Sequence, residues 1–377
     1  MLTHTGPGAN KTHFELFFSE LKDPRRTSKG NLRHLLSDIL LLTISAMISG
    51  AADWEMVRTF GNSQLAWLRR FGTFANGIPS TDTLERVFAA IDPKAFSSCF
   101  TKWIQALRTE IPDETVAIDG KTMRGAKADK ACKNMPHIVS AFASANGLCL
   151  GQVKVDEKSN EISAIPELLE LLAIKGCTVT IDAMGCQTDI ATKIISCKAD
   201  YILAVKGNQG NLERAISDTI SLEKPCSIDV SEDFGHGRIE KRTCRAYSVL
   251  SHIENPEKWS GLKTVFVIDS QVLEKSSGKT RTEQRFYISS LSARAETLNR
   301  KTREHWSIEN NLHWSLDVQF GEDRSRKYKG YAAENFNIIL KTAMTLLLND
   351  KTPKRSKNNK RLSAALDCKY REKLLSF

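Results

Sequence analysis

The sequence lacks the features that mark membrane, secreted and metal-thiolate proteins. No uninterrupted apolar run approaches the roughly 20 residues that span a bilayer. The longest candidate, 35–47, is interrupted by Ser37, Asp38, Thr43 and Ser45, which predicts a buried helix. The N-terminal stretch has no apolar signal-peptide core, so we expect a cytoplasmic protein. The nine cysteines are scattered and include no CxxC pair, which is typical of a reduced compartment and disfavours a disulfide framework.

Acidic residues are the minority among the charged side chains. The chain carries 54 Lys and Arg against 44 Asp and Glu, a net charge of +10. Residues 351–377 hold nine basic and two acidic side chains, a balance of +7. A basic C-terminal tail of this kind either contacts nucleic acid or is only solvated, and composition leaves both alternatives open. So basic a chain disfavours a hydrolase of small molecules.

Hydrophobic periodicity divides the chain into a helical part and a mixed part. Residues 1–108 carry apolar residues at helical spacing, which predicts a helical N-terminal domain, and its arginines make it a candidate DNA-binding module. Over 109–225, strands and helices follow in the order β-β-β-α-β-α-β-α, which predicts an α/β fold with a mixed sheet. Residues 226–290 are rich in β-branched and aromatic residues and predict a β-rich insertion. Residues 291–350 are predicted to complete the α/β core that begins with residues 109–225.

Two apolar strands of the mixed part run into an aspartate. TVAID (115–119) ends at Asp119, and TVTIDA (178–183) contains Asp182. If the first and fourth strands are neighbours, both carboxylates lie in one cleft at the carboxyl ends of the strands. Two such carboxylates repel and need protons or cations between them, and hard oxygen ligands suit Mg²⁺ or Mn²⁺. An aspartate after a strand also commonly caps the next turn, so each acid alone is a weak signal.

A third acid lies in HWSIENNLHW (305–314), a stretch with helical spacing. Its apolar stripe is predicted to pack on the sheet and consists of Ile308, Leu312 and Leu316. The adjacent stripe presents His305, Glu309 and His313. The two histidines are eight apart, roughly 12 Å along an ideal helix, so one zinc ion cannot bind both. His305 either orients Glu309 or contacts a phosphate, and helix packing is the alternative for both His305 and His313. Trp306 and Trp314 are predicted core anchors.

Five stretches of the chain form a combination that is specific to one protein family. They are VAIDGKTMRGA (116–126), VTIDAMGCQ (179–187), DYILAVKGNQ (200–209), FGHGRIEKR (234–242) and REHWSIENNLHWSLDVQFGEDRSR (303–326). On these stretches nearly the whole chain resembles the DDE transposases of the H-repeat-associated group of bacterial insertion sequences. The resemblance implies an RNase H-like core with a β-rich insertion before the third acid. It also implies a catalytic and metal-binding triad of Asp119, Asp182 and Glu309.

The same resemblance implies an activity and its partners. The expected enzyme cuts the ends of its element and transfers the freed 3′ hydroxyl to target DNA. Two divalent ions, Mg²⁺ or Mn²⁺, are expected among the three carboxylates. The expected partner is double-stranded DNA, as terminal inverted repeats and target, bound by a dimer associated with the bacterial nucleoid and with no membrane. Related transposases carry a Tyr, Arg, Glu, Lys signature, but beside Glu309 this chain has Thr302, His305 and Leu316 at the other positions.

Several basic residues near the acids are candidate DNA contacts, with a solvated surface charge as the alternative for each. They are Lys121, Arg124, Lys206, Arg238, Arg242, His305, Arg324 and Arg326. Arg238 and Arg242 belong to the glycine-flanked stretch 234–242, which is predicted to be a hairpin. Two other functions remain open at this point: a non-catalytic DNA-binding protein derived from a transposase, and an RNase H-like nuclease without end specificity.

Overall fold

The computed structural model describes residues 13–25, 32–126, 135–155, 161–235, 237–350 and 355–376. Its first part is helical, as predicted, with helices α1 (His13–Phe18), α2 (Leu36–Ile48), α3 (Trp54–Leu68), α4 (Thr81–Ala90) and α5 (Pro93–Leu107). Almost every residue of α2 is buried, because the helix is apolar on nearly all sides and its neighbours enclose it. Within the described ranges, no helix is long and apolar enough to cross a bilayer.

The central sheet has the mixed arrangement that the element order predicts. Its first strands are β1 (Thr115–Thr122), β2 (His137–Ala143), β3 (Leu148–Val155), β4 (Thr178–Ile181) and β5 (Asp200–Val205). They lie in the order β3-β2-β1-β4-β5, with antiparallel pairing among β1, β2 and β3 and parallel pairing along β1, β4 and β5. This is the RNase H-like order. The prediction that the first and fourth strands are neighbours is confirmed.

Three helices connect the later strands. They are α6 (Glu161–Glu170), α7 (Thr188–Ser196) and α8 (Gly210–Leu222). α6 packs on β2 and β3, and α7 packs on α6 and β5. Their apolar faces cover the sheet, as the crossover pattern requires.

The β-rich segment extends this sheet and does not form a second one. Its strands are β6 (Ser227–Gly235), β7 (Arg238–Tyr247), β8 (Thr264–Glu274) and β9 (Thr280–Ser289). Because β9 pairs antiparallel with β5, the whole sheet has nine strands in the order β3-β2-β1-β4-β5-β9-β8-β7-β6. Only residues 286–289 of β9 pair with β5. The first part of β9 therefore extends past the carboxyl end of β5.

The chain closes with helices that return to the N-terminal part. α9 (Ala295–His305) leads into two π-helical segments, Ile308–His313 and Ser315–Gln319, and α10 (Ala332–Asn349) is almost wholly buried. Two more helices follow, α11 (Lys357–Leu366) and α12 (Cys368–Leu375).

The interpretation of residues 351–377 as a loose basic tail is not what the structure shows. Arg361 is buried and donates to the backbone carbonyls of Met47 at 3.2 Å, Ala51 at 2.9 Å and Gln319. Arg371 is also buried and donates to the Ala364 carbonyl. A buried cation must be satisfied by acceptors, and these two therefore stabilise packing and are unavailable to DNA. Residues 351–354 lie outside the described part.

Candidate active site

The three predicted acids line one cleft of about 240 Å³. Parallel pairing of β1 with β4 places Ile118 opposite Ile181, so Asp119 and Asp182 follow adjacent residues of neighbouring strands. β1 itself continues to Thr122 along β2, so Asp119 lies where β4 ends and not at the end of its own strand. Glu309 reaches the cleft from the π-helical segment. Carboxylate oxygens of Asp119 and Glu309 and a ring nitrogen of His313 all lie within 4.8 Å of one another.

Local structure explains how two of these acids are presented. Asp182 accepts hydrogen bonds at Oδ1 from the backbone N–H groups of Met184 at 3.1 Å and Gly185 at 3.4 Å. The aspartate thus caps the next turn, and its other oxygen remains an acceptor for a ligand. On the π-helical segment Ile308 and Leu312 are fully buried, which confirms the predicted packing stripe, while Glu309 is exposed. π-helical turns often occur at functional sites.

The carboxylates of the cleft disfavour one another's ionised forms. Burial, with the nearby Glu309 and Asp182, raises the pKa of Asp119 to about 7. Burial and Glu161 also raise the pKa of Asp182, although its side chain is open to the cleft and Lys206 acts in the opposite direction. Carboxylates held in this way bind protons or cations to relieve their repulsion. The donor set of hard oxygens therefore fits divalent ions such as Mg²⁺ and Mn²⁺.

The two histidines are neutral and have different partners. His313 Nδ1 lies 3.5 Å from Asp119 Oδ2, and burial with Lys341 and Lys121 nearby lowers its pKa to about 3. The His305 ring shares a 2.9 Å hydrogen bond with the Thr180 hydroxyl of β4, and burial lowers the pKa of His305 to about 4. His305 therefore ties α9 to the sheet at the wall of the cleft. Neither ring supplies positive charge at neutral pH.

Two of the predicted DNA contacts are engaged inside the protein. Lys121 Nζ lies 2.6 Å from both Asp317 and Glu322, and its side chain is only 15% exposed. Arg242 is buried and donates to Asn299 and Thr302 of α9 at 3.1 Å each. The sequence showed their charge but not their partners. We correct the interpretation of both residues from DNA contact to packing of the elements around the cleft.

Five of the other predicted basic residues are exposed, in three places, whereas His305 is half-buried against Thr180. Lys206 follows β5 at the wall of the cleft. Arg124 lies on the turn Arg124–Ala126, which packs on the turn Glu322–Arg324 so closely that a Cβ on Gly125 would lie 2.6 Å from the Asp323 carbonyl. This contact brings Arg124 near Arg324 and Arg326, which are also exposed.

The third of these places is the position of Arg238, which is exposed and does not line the cleft. Arg238 begins β7 and pairs with Gly235, which confirms the predicted hairpin. His236, between these two residues in the chain, lies outside the described residues.

Behind Asp119 lies a buried, hydrogen-bonded pair of side chains that the sequence did not predict. His137 and Glu161 hydrogen-bond to each other, and a Cβ on Gly120 would lie 2.3 Å from His137 Nε2 and 2.5 Å from Glu161 Oε1. Glycine is thus required directly after Asp119 by this close approach. Gly120 was the sequence signal for a close contact at this position, but a glycine does not identify the residues that approach it.

The cleft lining also contains residues that were not expected there. Arg285 and Tyr287 of β9 reach it, although sequence alternation indicated only that they belong to a strand. Trp306 also lines the cleft and is 39% exposed, while Trp314 is 52% exposed. The prediction that both tryptophans are core anchors is wrong, because the buried side of this segment is occupied by the aliphatic stripe.

Comparison with known proteins matches this chain to one family. The family model described as "DDE_Tnp_1-associated" matches residues 16–104, and "Transposase DDE domain" matches residues 110–347. "Putative transposase YncI" of Escherichia coli O157:H7 is 43% identical over 367 residues, covering 96% of this chain and 93% of that protein. "H repeat-associated putative transposase YhhI" of Escherichia coli strain K12 is 41% identical over 366 residues, covering 95% of this chain and 96% of that protein. A piggyBac transposase synaptic complex with hairpin DNA aligns over 97% of this chain and 81% of its own, with 11% identity and a TM-score of 0.43.

Proposed function

The chain belongs to the transposase DDE domain family, and we propose that it cleaves DNA at the ends of an insertion element and transfers the freed strand to target DNA. The observation that carries this proposal is the convergence of Asp119, Asp182 and Glu309 in one cleft, with the pKa of Asp119 raised to about 7. Asp119 is close to both other acids, because its carboxylate lies within 4.8 Å of that of Glu309 and its strand pairs with the one that Asp182 follows. An acid cluster of this kind is costly to the free protein and useful for binding cations.

We propose that these three residues hold two divalent ions, Mg²⁺ or Mn²⁺. When bound, such ions activate the attacking water or 3′ hydroxyl and stabilise the leaving oxygen of a phosphodiester. The chain's own part is to hold the three carboxylates together in one cleft, where bound cations would relieve the repulsion that raises the pKa of Asp119. The neutral His313 beside Asp119 adds no charge that would compete with a cation. Oδ2 of Asp182 makes no hydrogen bond among the described residues, so it can serve as a ligand.

We propose that the DNA is duplex, first the element's terminal inverted repeats and then the target, bound by a dimer. Lys206 at the cleft wall and the exposed group Arg124, Arg324 and Arg326 support this, because DNA phosphates are bound by exposed cations. A dimer would present two acid clefts, one for each end of the element.

The test is cleavage of a labelled duplex carrying the inverted repeats that flank the coding sequence. Nicking should require Mg²⁺ or Mn²⁺ and should be lost in Asp119→Asn, Asp182→Asn and Glu309→Gln. Asp218→Asn is the matched control, since Asp218 is an exposed acid on α8 outside the cleft lining. Binding without cleavage under either metal would favour the non-catalytic alternative. Equal cutting of an unrelated duplex would favour a nuclease without end specificity.

A further inference from the structure

The cleft contains a pair of cations delivered by two paired strands. β9 runs antiparallel to β5, and Val205 pairs with Phe286, so Lys206 and Arg285 are the next residues along each strand. Both line the cleft that holds the three acids. Both also act on Glu283, whose pKa is lowered by its hydrogen bond to Arg285, despite partial burial, and by the charges of Arg285 and Lys206. The two cations therefore lie close together on the side of the cleft nearest Asp182.

On the facing helix α9, no described residue contributes a positive charge to the cleft lining. α9 contributes Thr302 and His305 to the cleft, and His305 is neutral because burial lowers its pKa to about 4. Among the described residues that line the cleft, Lys206 and Arg285 are the only cations. An anionic strand that reaches the acids must therefore be received from the β5–β9 side.

Arg285 is held in a defined orientation. Its guanidinium carbon lies 4.9 Å from the centre of the Trp306 ring, and it interacts with the Tyr287 hydroxyl. Tyr287 is buried and stacks on Phe266 with ring centres 4.8 Å apart. Stacking on an aromatic face and a neighbouring hydroxyl reduce the freedom that an arginine loses on binding a ligand.

The ion pair between Arg285 and Glu283 has the geometry of a contact between arginine and phosphate. Glu283 accepts from Arg285 Nε at 2.7 Å and from Nη2 at 2.9 Å. This bidentate geometry is the one that a guanidinium also adopts with phosphate. Glu283 is more than half exposed, so the pair contributes little stability and is easily exchanged.

We propose that Arg285, with Lys206, binds a backbone phosphate of the DNA strand that enters the cleft and positions that strand over the three acids. The contact comes from β9, whereas the family signature places its arginine on the helix at the position held here by His305. This inference deepens the proposed function and rests on it for the identity of the anion. Arg285 is a positioning residue in this proposal, and Glu283 is the carboxylate that the phosphate displaces.

Binding is tested with the full chain, without metal, on a fluorescein-labelled 30-base-pair duplex of mixed sequence over a range of salt concentrations. Arg285→Gln should weaken binding and lower the slope of log affinity against log salt by about 0.9, the value for one phosphate contact. Glu283→Gln should strengthen binding, because it removes the competing carboxylate. Arg281→Gln is the matched control, since Arg281 is exposed on the same strand and outside the cleft lining. Equal losses for Arg281→Gln and Arg285→Gln, or an unchanged slope for Arg285→Gln, would overturn the proposal.

A second measurement separates positioning from charge. With Mg²⁺ and the inverted-repeat duplex, Arg285→Lys should keep the salt slope but cleave at least about tenfold more slowly than the wild type, because lysine lacks the bidentate fork and the stacking face. Full activity in Arg285→Lys would reduce the role of Arg285 to charge alone and contradict the positioning part. If the wild type binds but never cleaves, the proposed function fails, while the salt slopes still decide whether Arg285 binds phosphate.

Discussion

Replacing Asp119 by asparagine should change stability and activity in opposite directions. The substitution keeps the shape of the side chain and removes one negative charge from the cleft. In the folded protein the pKa of Asp119 is about 7, against 3.8 for the unperturbed group, because burial and Glu309 disfavour its ionised form. The unfolded chain therefore releases this proton at lower pH than the folded chain does. The contribution of Asp119 to stability is present in full below pH 4 and is lost as the pH rises toward 7.

The size of the effect follows from the width of that interval. The difference between the two pKa values corresponds to about 4 kcal/mol by pH 8, of which about 3 kcal/mol develops above pH 5. For a chain of 377 residues the entropy of unfolding is about 0.8 kcal/mol per kelvin. The melting temperature of Asp119→Asn relative to the wild type should therefore rise by about 3 °C between pH 5 and pH 8.

The assay is thermal unfolding of both proteins at pH 5 and pH 8, with EDTA and then with Mg²⁺. In EDTA the melting temperature of the variant should rise relative to that of the wild type as the pH rises. With Mg²⁺ at pH 8 the wild type should instead have the higher melting temperature, because it would bind the proposed ion and the variant would bind it only weakly. Cleavage should fall at least about 100-fold, since even outer-sphere changes at metal sites cost 10–100-fold. A melting difference that is the same at both pH values would refute the argument that burial and the nearby Glu309 raise the pKa of Asp119.

Three further outcomes test the interpretation of individual contacts. Gly120→Ala should lower the free energy of unfolding by about 1–3 kcal/mol, because its Cβ would overlap the buried pair of His137 and Glu161; thermal melting measures this. Lys121→Met should lower the free energy of unfolding by about 3–5 kcal/mol, because it leaves Glu322 buried without a cation. Unchanged stability together with weaker DNA binding would instead support the original interpretation of Lys121 as a phosphate contact. Arg361→Leu should destabilise by about 3 kcal/mol in chemical denaturation, through three unsatisfied carbonyls, whereas Lys369→Gln on the exposed side of α12 should change it by less than about 0.5 kcal/mol.

The sequence determined those features that depend on neighbours along the chain. Strand and helix periodicities predicted the N-terminal helices and the mixed sheet, because a hydrophobic pattern reports which face of an element is buried. The same pattern predicted that Ile308 and Leu312 pack inward while Glu309 does not. The position of the acids after apolar strands then placed Asp119 and Asp182 in one cleft.

Only the tertiary structure decided which distant groups meet. Pairing of β9 with β5 depends on hydrogen bonds between strands more than 80 residues apart in the chain, and it places Arg285 beside Lys206. A charged side chain looks the same in sequence whether its partner is solvent, DNA or a buried acceptor. Lys121 and Arg242 were therefore indistinguishable from Lys206 until their acceptors were known. The C-terminal helices show the same limit, because the carbonyls that hold Arg361 belong to residues more than 300 positions earlier and to the segment after Glu309.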